Sequence, residues 1–252
     1  MPKIRVMPTL LFKDVGLVKG VAYDSWRRVG SAMQAVKVYN MREVDELVYL
    51  DITATTQGRP PDFETVDELA DECFMPLTVG GGVRVVEDVR RLLQVGADKV
   101  AINTAAVETP EVVRQIADRF GSQCVVVSID ARRHAEGTYE VYTHSGRVAT
   151  GKDPVWLAKE VEALGAGEIL LTSIDRDGTM TGYDIELIRR VSTAVSIPLI
   201  ASGGAGTYAH MAEVLREGKA SAVAAASMFH FTEQTPLEAK HYLRTQGFPV
   251  RL

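Results

Sequence analysis

Short apolar runs rich in β-branched residues alternate with amphipathic stretches along the chain. Eight of these runs predict β-strands, at residues 4–11, 46–53, 76–79, 99–103, 124–130, 168–173, 198–202 and 221–226. Apolar residues at three- and four-residue spacing predict helices between them, among which are 64–72, 86–94, 110–119, 153–164, 184–191 and 210–216. Because no linker interrupts the alternation, residues 1–252 are predicted to form a single α/β domain.

Eight βα units in a chain of this length predict a closed (β/α)8 TIM barrel, whose active site lies at the C-terminal ends of the strands. An open, doubly wound sheet is the alternative, but no Gly-x-Gly-x-x-Gly motif follows the first strand, where the glycines are at 16 and 20. An internal repeat favours the barrel. An offset of 122 positions superposes Glu46 on Glu168 and Pro76 on Pro198, which indicates two equivalent half-barrels.

The composition excludes several other classes of protein. The 252 residues are 46% hydrophobic and 24% charged, with a mean hydropathy of +0.01, as in ordinary globular proteins. The net charge of −5 argues against a broad surface for nucleic acid or anionic membranes. Cys73 and Cys124 lack the spacing of a metal site or a disulfide framework, and the first residues lack an apolar signal segment. We therefore expect a cytoplasmic protein with no metal or cofactor.

Glycine runs after two predicted strands are candidates for phosphate binding. Gly81 and Gly82 follow the third strand, and Gly203 and Gly204 follow the seventh, at equivalent positions of the repeat. Glycine leaves backbone N–H groups open to an anion, and a following helix N-terminus adds a favourable dipole. Tight turns alone would also explain each run, but the repetition favours a ligand with two phosphate groups. The neighbouring strand ends extend the two sites with Asn103 and Thr104, and with Ala226 and Ser227.

Carboxylates at predicted strand ends are candidates for acid–base chemistry. Asp51 and Asp130 each close an apolar strand, and either could act as a base. The segment after the sixth strand holds Asp175 and Asp177, which could act in chemistry or simply stabilise the loop through hydrogen bonds to its backbone.

Charged residues occupy the opposite, N-terminal ends of four predicted strands. These residues are Arg5, Glu46, Lys99 and Glu168. If they point inward, they form acid–base pairs that close the barrel floor; if they point outward, they are ordinary solvated strand ends. The residues alone leave both interpretations open.

Taken together, the motifs resemble those of the HisF family, the cyclase subunit of imidazole glycerol phosphate synthase, essentially from end to end. The matching segments include Val18-Lys-Gly-Val, Pro76-Leu-Thr-Val-Gly-Gly-Gly-Val-Arg, Gly96-Ala-Asp-Lys-Val-Ala-Ile-Asn and Leu171-Thr-Ser-Ile-Asp-Arg-Asp-Gly-Thr. The resemblance implies a barrel that takes ammonia from a glutaminase partner, HisH, and passes it to a ribulosyl substrate with two phosphate groups. The single-chain isomerase HisA is also similar, but it needs no charged floor.

The resemblance assigns roles to individual residues. The four charged residues of the floor match an ammonia gate, Asp98 and Gln123 match the side that faces the glutaminase, and Lys19 matches a lysine of the first loop. The phosphate-binding set is Gly81, Gly82, Asn103, Thr104, Asp177, Gly178, Gly203, Gly204, Ala226 and Ser227. Asp130, Asp51 and Lys19 are the candidate catalytic residues.

One position departs from the family pattern. The family's first strand ends in Pro-Cys-Leu-Asp, whereas this chain reads Pro8-Thr-Leu-Leu, so Leu11 replaces a catalytic aspartate. Leucine cannot transfer a proton, and losing a general acid or base costs about 10²–10⁴-fold in rate. The loop sequences are closer to HisF-like paralogues that supply ammonia for amidination of N-acyl sugars in surface-polysaccharide pathways. A histidine-pathway cyclase and a non-catalytic scaffold or regulatory subunit are the alternatives.

Overall fold

Eight parallel strands close into a barrel in the structure, a computed structural model that describes residues 3–14 and 16–252. The strands in chain order are β1 (Arg5–Lys13), β2 (Gly16–Val21), β3 (Asp24–Gly30), β4 (Leu47–Asp51), β5 (Leu77–Gly80), β6 (Lys99–Ile102), β7 (Val125–Arg133), β8 (Tyr139–Thr143), β9 (Val148–Ala149), β10 (Glu168–Ser173), β11 (Leu199–Ser202) and β12 (Ala222–Ala225). The barrel runs β10-β11-β12-β1-β4-β5-β6-β7 and closes where β7 pairs with β10. The predicted TIM barrel is confirmed, and its strand bounds lie within three residues of the predicted ones.

Helices follow the barrel strands and cover their outer side. They are α1 (Ala32–Met41), α2 (Phe63–Asp71), α3 (Val86–Gln94), α4 (Thr104–Glu108), α5 (Glu111–Phe120), α6 (Pro154–Ala163), α7 (Ile185–Ser192), α8 (Tyr208–Arg216), α9 (Ser227–Phe231) and α10 (Pro236–Thr245). Side-chain caps fix several of their starts: Asp62 accepts a hydrogen bond from Thr65 N before α2, and Thr235 and Glu238 form a capping box before α10. Among the described residues, no helix combines the length and apolar character needed to span a bilayer.

Two antiparallel hairpins extend the C-terminal ends of barrel strands. β2 and β3 continue from β1, and β8 and β9 continue from β7, the strand equivalent to β1 in the internal repeat. Sequence analysis did not predict these four strands, because β2, β3 and β8 are short and mix apolar with charged residues, and β9 has only two residues. Both hairpins stand on the side of the barrel where a TIM-barrel active site lies.

Alternation along the strands creates two separate apolar layers. Met7, Val48, Val126 and Leu170 belong to a small cluster inside the barrel, together with residues of β6, β11 and β12. The intervening positions, such as Leu47 and Tyr49, belong to the larger core between the barrel and its helices. The period of two therefore decides which side chains reach the interior, and hence which can take part in a site there.

Candidate functional site at the barrel mouth

A cavity at the C-terminal mouth brings together residues from six of the eight barrel strands, and from the loops that follow β5 and β6. All ten residues predicted to bind phosphate line it, as do Asp130, Asp51, Lys19 and Leu11. The remaining wall includes Tyr23 and Trp26 of the first hairpin, which sequence analysis did not single out for the site. The structure thus gathers the predicted mouth residues around one space, and it separates them from the charged residues of the floor.

Asp130 is the carboxylate at the mouth whose protonation is most strongly perturbed. It lies on β7 with 8% of its surface exposed. Burial raises the pKa of Asp130 from 3.8 to about 7, and the neighbouring Asp177 charge acts in the same direction, while hydrogen bonds from Tyr23 and Ser128 oppose the rise. A carboxyl group with such a pKa holds and releases protons near neutral pH, which suits general acid–base chemistry.

Leu11 occupies the position on β1 that Asp130 occupies on β7. Leu11 stands opposite Leu50 in the pairing of β1 with β4, and Asp130 stands opposite Thr172 in the pairing of β7 with β10. Leu50 and Thr172 are themselves related by the 122-residue offset of the repeat. The backbone register therefore puts an apolar side chain where the duplicated half carries a carboxyl group, and both Leu11 and Leu50 line the cavity.

Asp51 differs from Asp130 in that hydrogen bonds engage both of its oxygens. Its Oδ1 accepts hydrogen bonds from Thr53 N at 2.9 Å, Thr53 Oγ1 at 2.9 Å and Ala54 N at 3.0 Å. Its Oδ2 pairs with Arg59 Nη2 at 3.2 Å. These contacts organise the loop after β4, and a role as base would require Asp51 to give up some of them. The geometry therefore favours Asp130 over Asp51 as the proton-transferring group.

Lys19 connects the first hairpin to Asp177, in the loop after β10. Lys19 is 2% exposed, and its Nζ lies 2.5 Å from Asp177 Oδ2. Ala22 N also donates to Asp177 O at 2.8 Å. A Cβ added to Gly178 would lie 2.1 Å from Gly20 O, so only a glycine permits this approach of the two backbones. The hairpin is thus held closed over the mouth by one buried ion pair and by backbone contacts.

Both half-barrels have a glycine turn with positive φ at equivalent positions. Gly82 and Gly204 have φ of +76° and +107°, and a Cβ on either would approach backbone carbonyl groups of the facing loops, to 2.8 Å and 2.2 Å. Beside them begin the short helices α4 and α9, with Thr104 and Ser227 as first residues. The glycines of both turns and the first residues of both helices line the cavity, where backbone N–H groups not already bonded could bind an anion.

Side chains distinguish the two half-sites. Asn103 Nδ2 donates to Ser128 O at 3.0 Å, and Thr104 Oγ1 accepts from His144 N at 3.1 Å, so these groups already serve the surrounding backbone. In the described part of the chain, by contrast, Ser227 Oγ is buried without a hydrogen-bond partner. A buried hydroxyl that lacks a partner is costly, and an anion in the cavity would satisfy it.

The four charged residues of the floor all point into the barrel and form a closed ring. Arg5 bridges Glu46 at 2.7 Å and Glu168 at 2.8 Å, and Lys99 bridges the same two carboxylates at 3.0 and 3.1 Å. Glu46 Oε1 also accepts a hydrogen bond from Thr78 Oγ1 at 2.8 Å. Of the two orientations that the sequence left open, the inward one is observed, with every charge paired twice. The apolar cluster around Met7 and Leu170 separates this ring from the mouth.

Asp98 and Gln123 lie at the same end as the ring. Asp98 precedes β6 and Gln123 lies in a 3₁₀ turn (Ser122–Cys124) before β7, and both are exposed. Asp98 Oδ2 accepts from Leu77 N at 2.8 Å, which fixes its position at the rim. Nearby, Phe74 precedes β5 with 85% of its surface exposed, a feature that the sequence analysis missed.

The chain matches a family model described as "Histidine biosynthesis protein" over residues 5–235. This span includes the whole barrel, both hairpins and every candidate residue of the mouth and floor. Its members of HisA and HisF type are TIM-barrel synthases and isomerases, in keeping with the fold and with the polar mouth. The chain therefore belongs to the histidine biosynthesis protein family, as a HisF-like member.

Proposed function

We propose that this chain is the synthase subunit of a two-component glutamine amidotransferase that conducts ammonia from a HisH-like glutaminase through the barrel. Its ammonia serves the amidination of an N-acyl sugar in surface-polysaccharide biosynthesis, carried out by a separate enzyme. The observation that carries the proposal is the combination of a complete charged ring at the floor with an aliphatic residue, Leu11, in place of a carboxylate at the mouth.

The floor supports the conduction of a small neutral molecule. Two acids and two bases pair completely, so the ring is stable while closed, and rearrangement of one side chain, such as Lys99, would open a path. Above the ring, the interior is lined by Met7, Val48 and Leu170 and by small alanines. A path between apolar side chains of this kind would carry ammonia in preference to ammonium, because the ion would lose its hydration.

The outer side of the floor supports the docking of a partner. Phe74 is almost fully exposed beside α1, and its backbone N–H is held by Asn40 Oδ1 at 3.1 Å. An exposed aromatic side chain next to exposed polar groups such as Asp98 is the composition of a protein interface, in which aromatic anchors dominate the binding energy. Met41, the last residue of α1, is 77% exposed and extends this exposed apolar surface.

The mouth favours a second candidate function, cyclisation in histidine biosynthesis. All ten predicted phosphate-binding residues line one cavity with Asp130 and Lys19, which suits a ligand with two phosphate groups. In that case Asp130 would transfer protons without a partner on β1. No specific contact at the mouth favours the third interpretation, a non-catalytic scaffold or regulatory subunit.

Steady-state turnover with ammonium salt and the ribulosyl aminoimidazole carboxamide substrate separates these functions. We expect no measurable cyclisation by the natural chain, and gained cyclisation by Leu11→Asp, which restores the missing carboxyl group. Leu11→Asn is the matched control, because it has the same shape as the aspartate but cannot transfer a proton. Turnover of the natural chain at about 1 s⁻¹ or faster, an ordinary enzymatic rate, would return it to histidine biosynthesis.

A glutaminase-coupled assay tests ammonia conduction itself. The glutaminase partner is added to the assay. The release of ammonia into bulk solution is then compared with its delivery to the acceptor enzyme. Lys99→Met changes the ring without touching the mouth, so we expect it to alter delivery from glutamine and to leave use of added ammonium unchanged. Equal effects on both nitrogen sources would contradict conduction through the barrel, and absence of any complex with a glutaminase would favour the scaffold.

A further inference from the structure

Two buried hydroxyl groups at the mouth have no hydrogen-bond partner among the described residues. They are Thr9 Oγ1, on β1, and Ser227 Oγ, on the first residue of α9. Thr9 is 8% exposed and Ser227 is 5% exposed, and both residues line the mouth cavity. Thr9 follows Met7 by two positions, so it lies on the face of β1 that points into the barrel. A buried hydroxyl without a partner is destabilising, and the fold accepts this penalty twice around one cavity.

The strand register and a hydrogen bond place these two residues beside each other. β1 pairs with β12, and Pro8 stands opposite Ala225, so Thr9 and Ser227 lie just beyond paired residues of neighbouring strands. His230 Nε2 donates to Thr9 O at 3.3 Å. His230 and Ser227 are three positions apart on α9, the spacing that puts two side chains on one face of a helix. The face of α9 that carries Ser227 therefore lies against β1 at Thr9.

Thr9 is not among the residues predicted to bind phosphate. It belongs to the segment Pro8-Thr-Leu-Leu, in which the family pattern has Pro-Cys-Leu-Asp. The segment that loses a carboxyl group at Leu11 therefore gains a hydroxyl group at Thr9. A cysteine thiol is a weak donor, whereas a hydroxyl group donates and accepts hydrogen bonds of ordinary strength.

We propose that Thr9 is a ligand-binding residue, whose hydroxyl acts with that of Ser227 to bind one phosphate group, free or esterified, in the half-site of β11, β12 and α9. Each hydroxyl can donate to a phosphate oxygen, and hydrogen bonds to charged acceptors are stronger than those between neutral groups. Gly203 and Gly204 of the same half-site line the cavity with them. The inference rests on the phosphate binding predicted for the mouth, and it is independent of ammonia conduction.

Calorimetric titration with inorganic phosphate and with glycerol phosphate measures the contribution of the Thr9 hydroxyl. Thr9→Val keeps the shape of the side chain and removes the hydroxyl, so we expect it to weaken binding about tenfold. Thr9→Ser keeps the hydroxyl and should retain most of the affinity. Weaker binding of glycerol phosphate alone would assign a phosphate ester as the ligand, and weaker binding of inorganic phosphate alone would assign the free ion; either result supports the subsite.

Thr104→Val is the matched control, because it makes the same change in the other half-site. Thr104 Oγ1 already accepts a hydrogen bond from His144 N at 3.1 Å, whereas Thr9 Oγ1 has no such partner in the described chain. The effects of Thr9→Val and Thr104→Val on binding should add, since they concern separate phosphate groups. The effects of Thr9→Val and Ser227→Ala should not add, since both hydroxyls bind the same phosphate group.

Thermal unfolding distinguishes a ligand contact from a structural role of Thr9. Without phosphate, Thr9→Val should have an equal or higher melting temperature than the natural chain, because it removes a buried hydroxyl that has no partner among the described residues. With phosphate, the increase in melting temperature should be smaller in the variant. Unchanged affinity for both probes in Thr9→Val, or an equal loss in Thr9→Ser, would overturn the role of Thr9. Absence of phosphate binding by the natural chain would overturn the predicted phosphate sites as well, and neither result bears on ammonia conduction.

Discussion

Replacing Asp130 with asparagine should stabilise the protein at alkaline pH. The carboxyl group titrates at about 7 in the folded chain, against an ordinary value of 3.8. Ionisation of Asp130 therefore opposes folding whenever the pH exceeds the unfolded value. Asparagine has nearly the same shape and carries no charge at any pH, so it removes this penalty while keeping the side chain in the cavity wall.

The direction of the pH dependence follows from linkage. Below about pH 4, Asp130 is protonated in both the folded and the unfolded chain and carries no penalty. As the pH rises, the unfolded chain releases its proton first, and the stability attached to Asp130 is lost progressively until about pH 7. At 1.36 kcal/mol for each pH unit, the difference of about three units gives a full penalty of roughly 4 kcal/mol.

Urea unfolding of the natural chain and of Asp130→Asn at pH 5 and pH 8.5 measures this penalty. The difference in unfolding free energy between the two proteins should grow by about 3 kcal/mol in favour of the variant between these pH values. Comparing the proteins at each pH cancels the titration of groups that they share. The pKa of about 7 from which this figure follows already includes the opposing effect of Tyr23 and Ser128.

Asp51→Asn is the matched control, since Asp51 is also a buried aspartate at the end of a barrel strand. Its carboxylate is held by Thr53, Ala54 and Arg59, so its loss should destabilise the protein. At pH 8.5, Asp130→Asn should therefore raise the free energy of unfolding, whereas Asp51→Asn should lower it. A pH-independent difference for Asp130→Asn, or destabilisation at both pH values, would refute the reasoning that burial controls this carboxyl group.

Two further predictions concern the floor and the outer core. Lys99→Met leaves Arg5 as the only cation beside Glu46 and Glu168. It should lower the unfolding free energy by about 3–5 kcal/mol, as loss of one partner of a buried pair does. The exposed control Arg90→Met should leave the urea midpoint unchanged, and an unchanged midpoint for Lys99→Met would contradict a tight ring. Tyr49→Phe should leave thermal stability equal or higher, because the Tyr49 hydroxyl is buried without a partner in the described chain. Tyr183→Phe should lower it, since Tyr183 donates to Ala224 O at 3.0 Å; equal melting temperatures for the two variants would count against this reasoning.

The barrel could be predicted from the sequence because its strands are apolar, short and regularly spaced. The hairpin strands β2 and β3 could not, because residues such as Lys19, Arg27 and Arg28 interrupt the alternation that identifies a half-buried strand. Their stability comes from pairing with each other and from contacts with the loop after β10. Tertiary contacts, such as the approach of Gly20 to Gly178, explain where they lie.

The contrast between Asp51 and Asp130 was, by comparison, accessible from the sequence. Asp130 lies an even number of positions after Val126 on β7 and is therefore on the strand face that points into the barrel. Asp51 lies an even number of positions after Leu47 and Tyr49 on β4, whose side chains face the helices. A strict period of two thus distinguishes the two carboxylates by their positions along the strands. The same alternation puts Arg5 on the face of β1 that also carries Met7 and Leu11. This would have favoured the inward orientation of the floor charges.

The loss of one carboxyl group changes what the mouth can do in a single step. Two aspartates at equivalent ends of β1 and β7 could act together, one giving a proton while the other takes one. Asp130 alone exists in both protonation states near neutral pH, yet it can hold only one of them at a given moment. A reaction that needs an acid and a base simultaneously must therefore recruit its second group from beyond the barrel strands, from the hairpin that carries Tyr23 and Lys19 or from the bound ligand. The proposed transfer of ammonia to a separate enzyme would make no such demand, so it is compatible with a charged ring at the floor and a single such carboxyl group at the mouth.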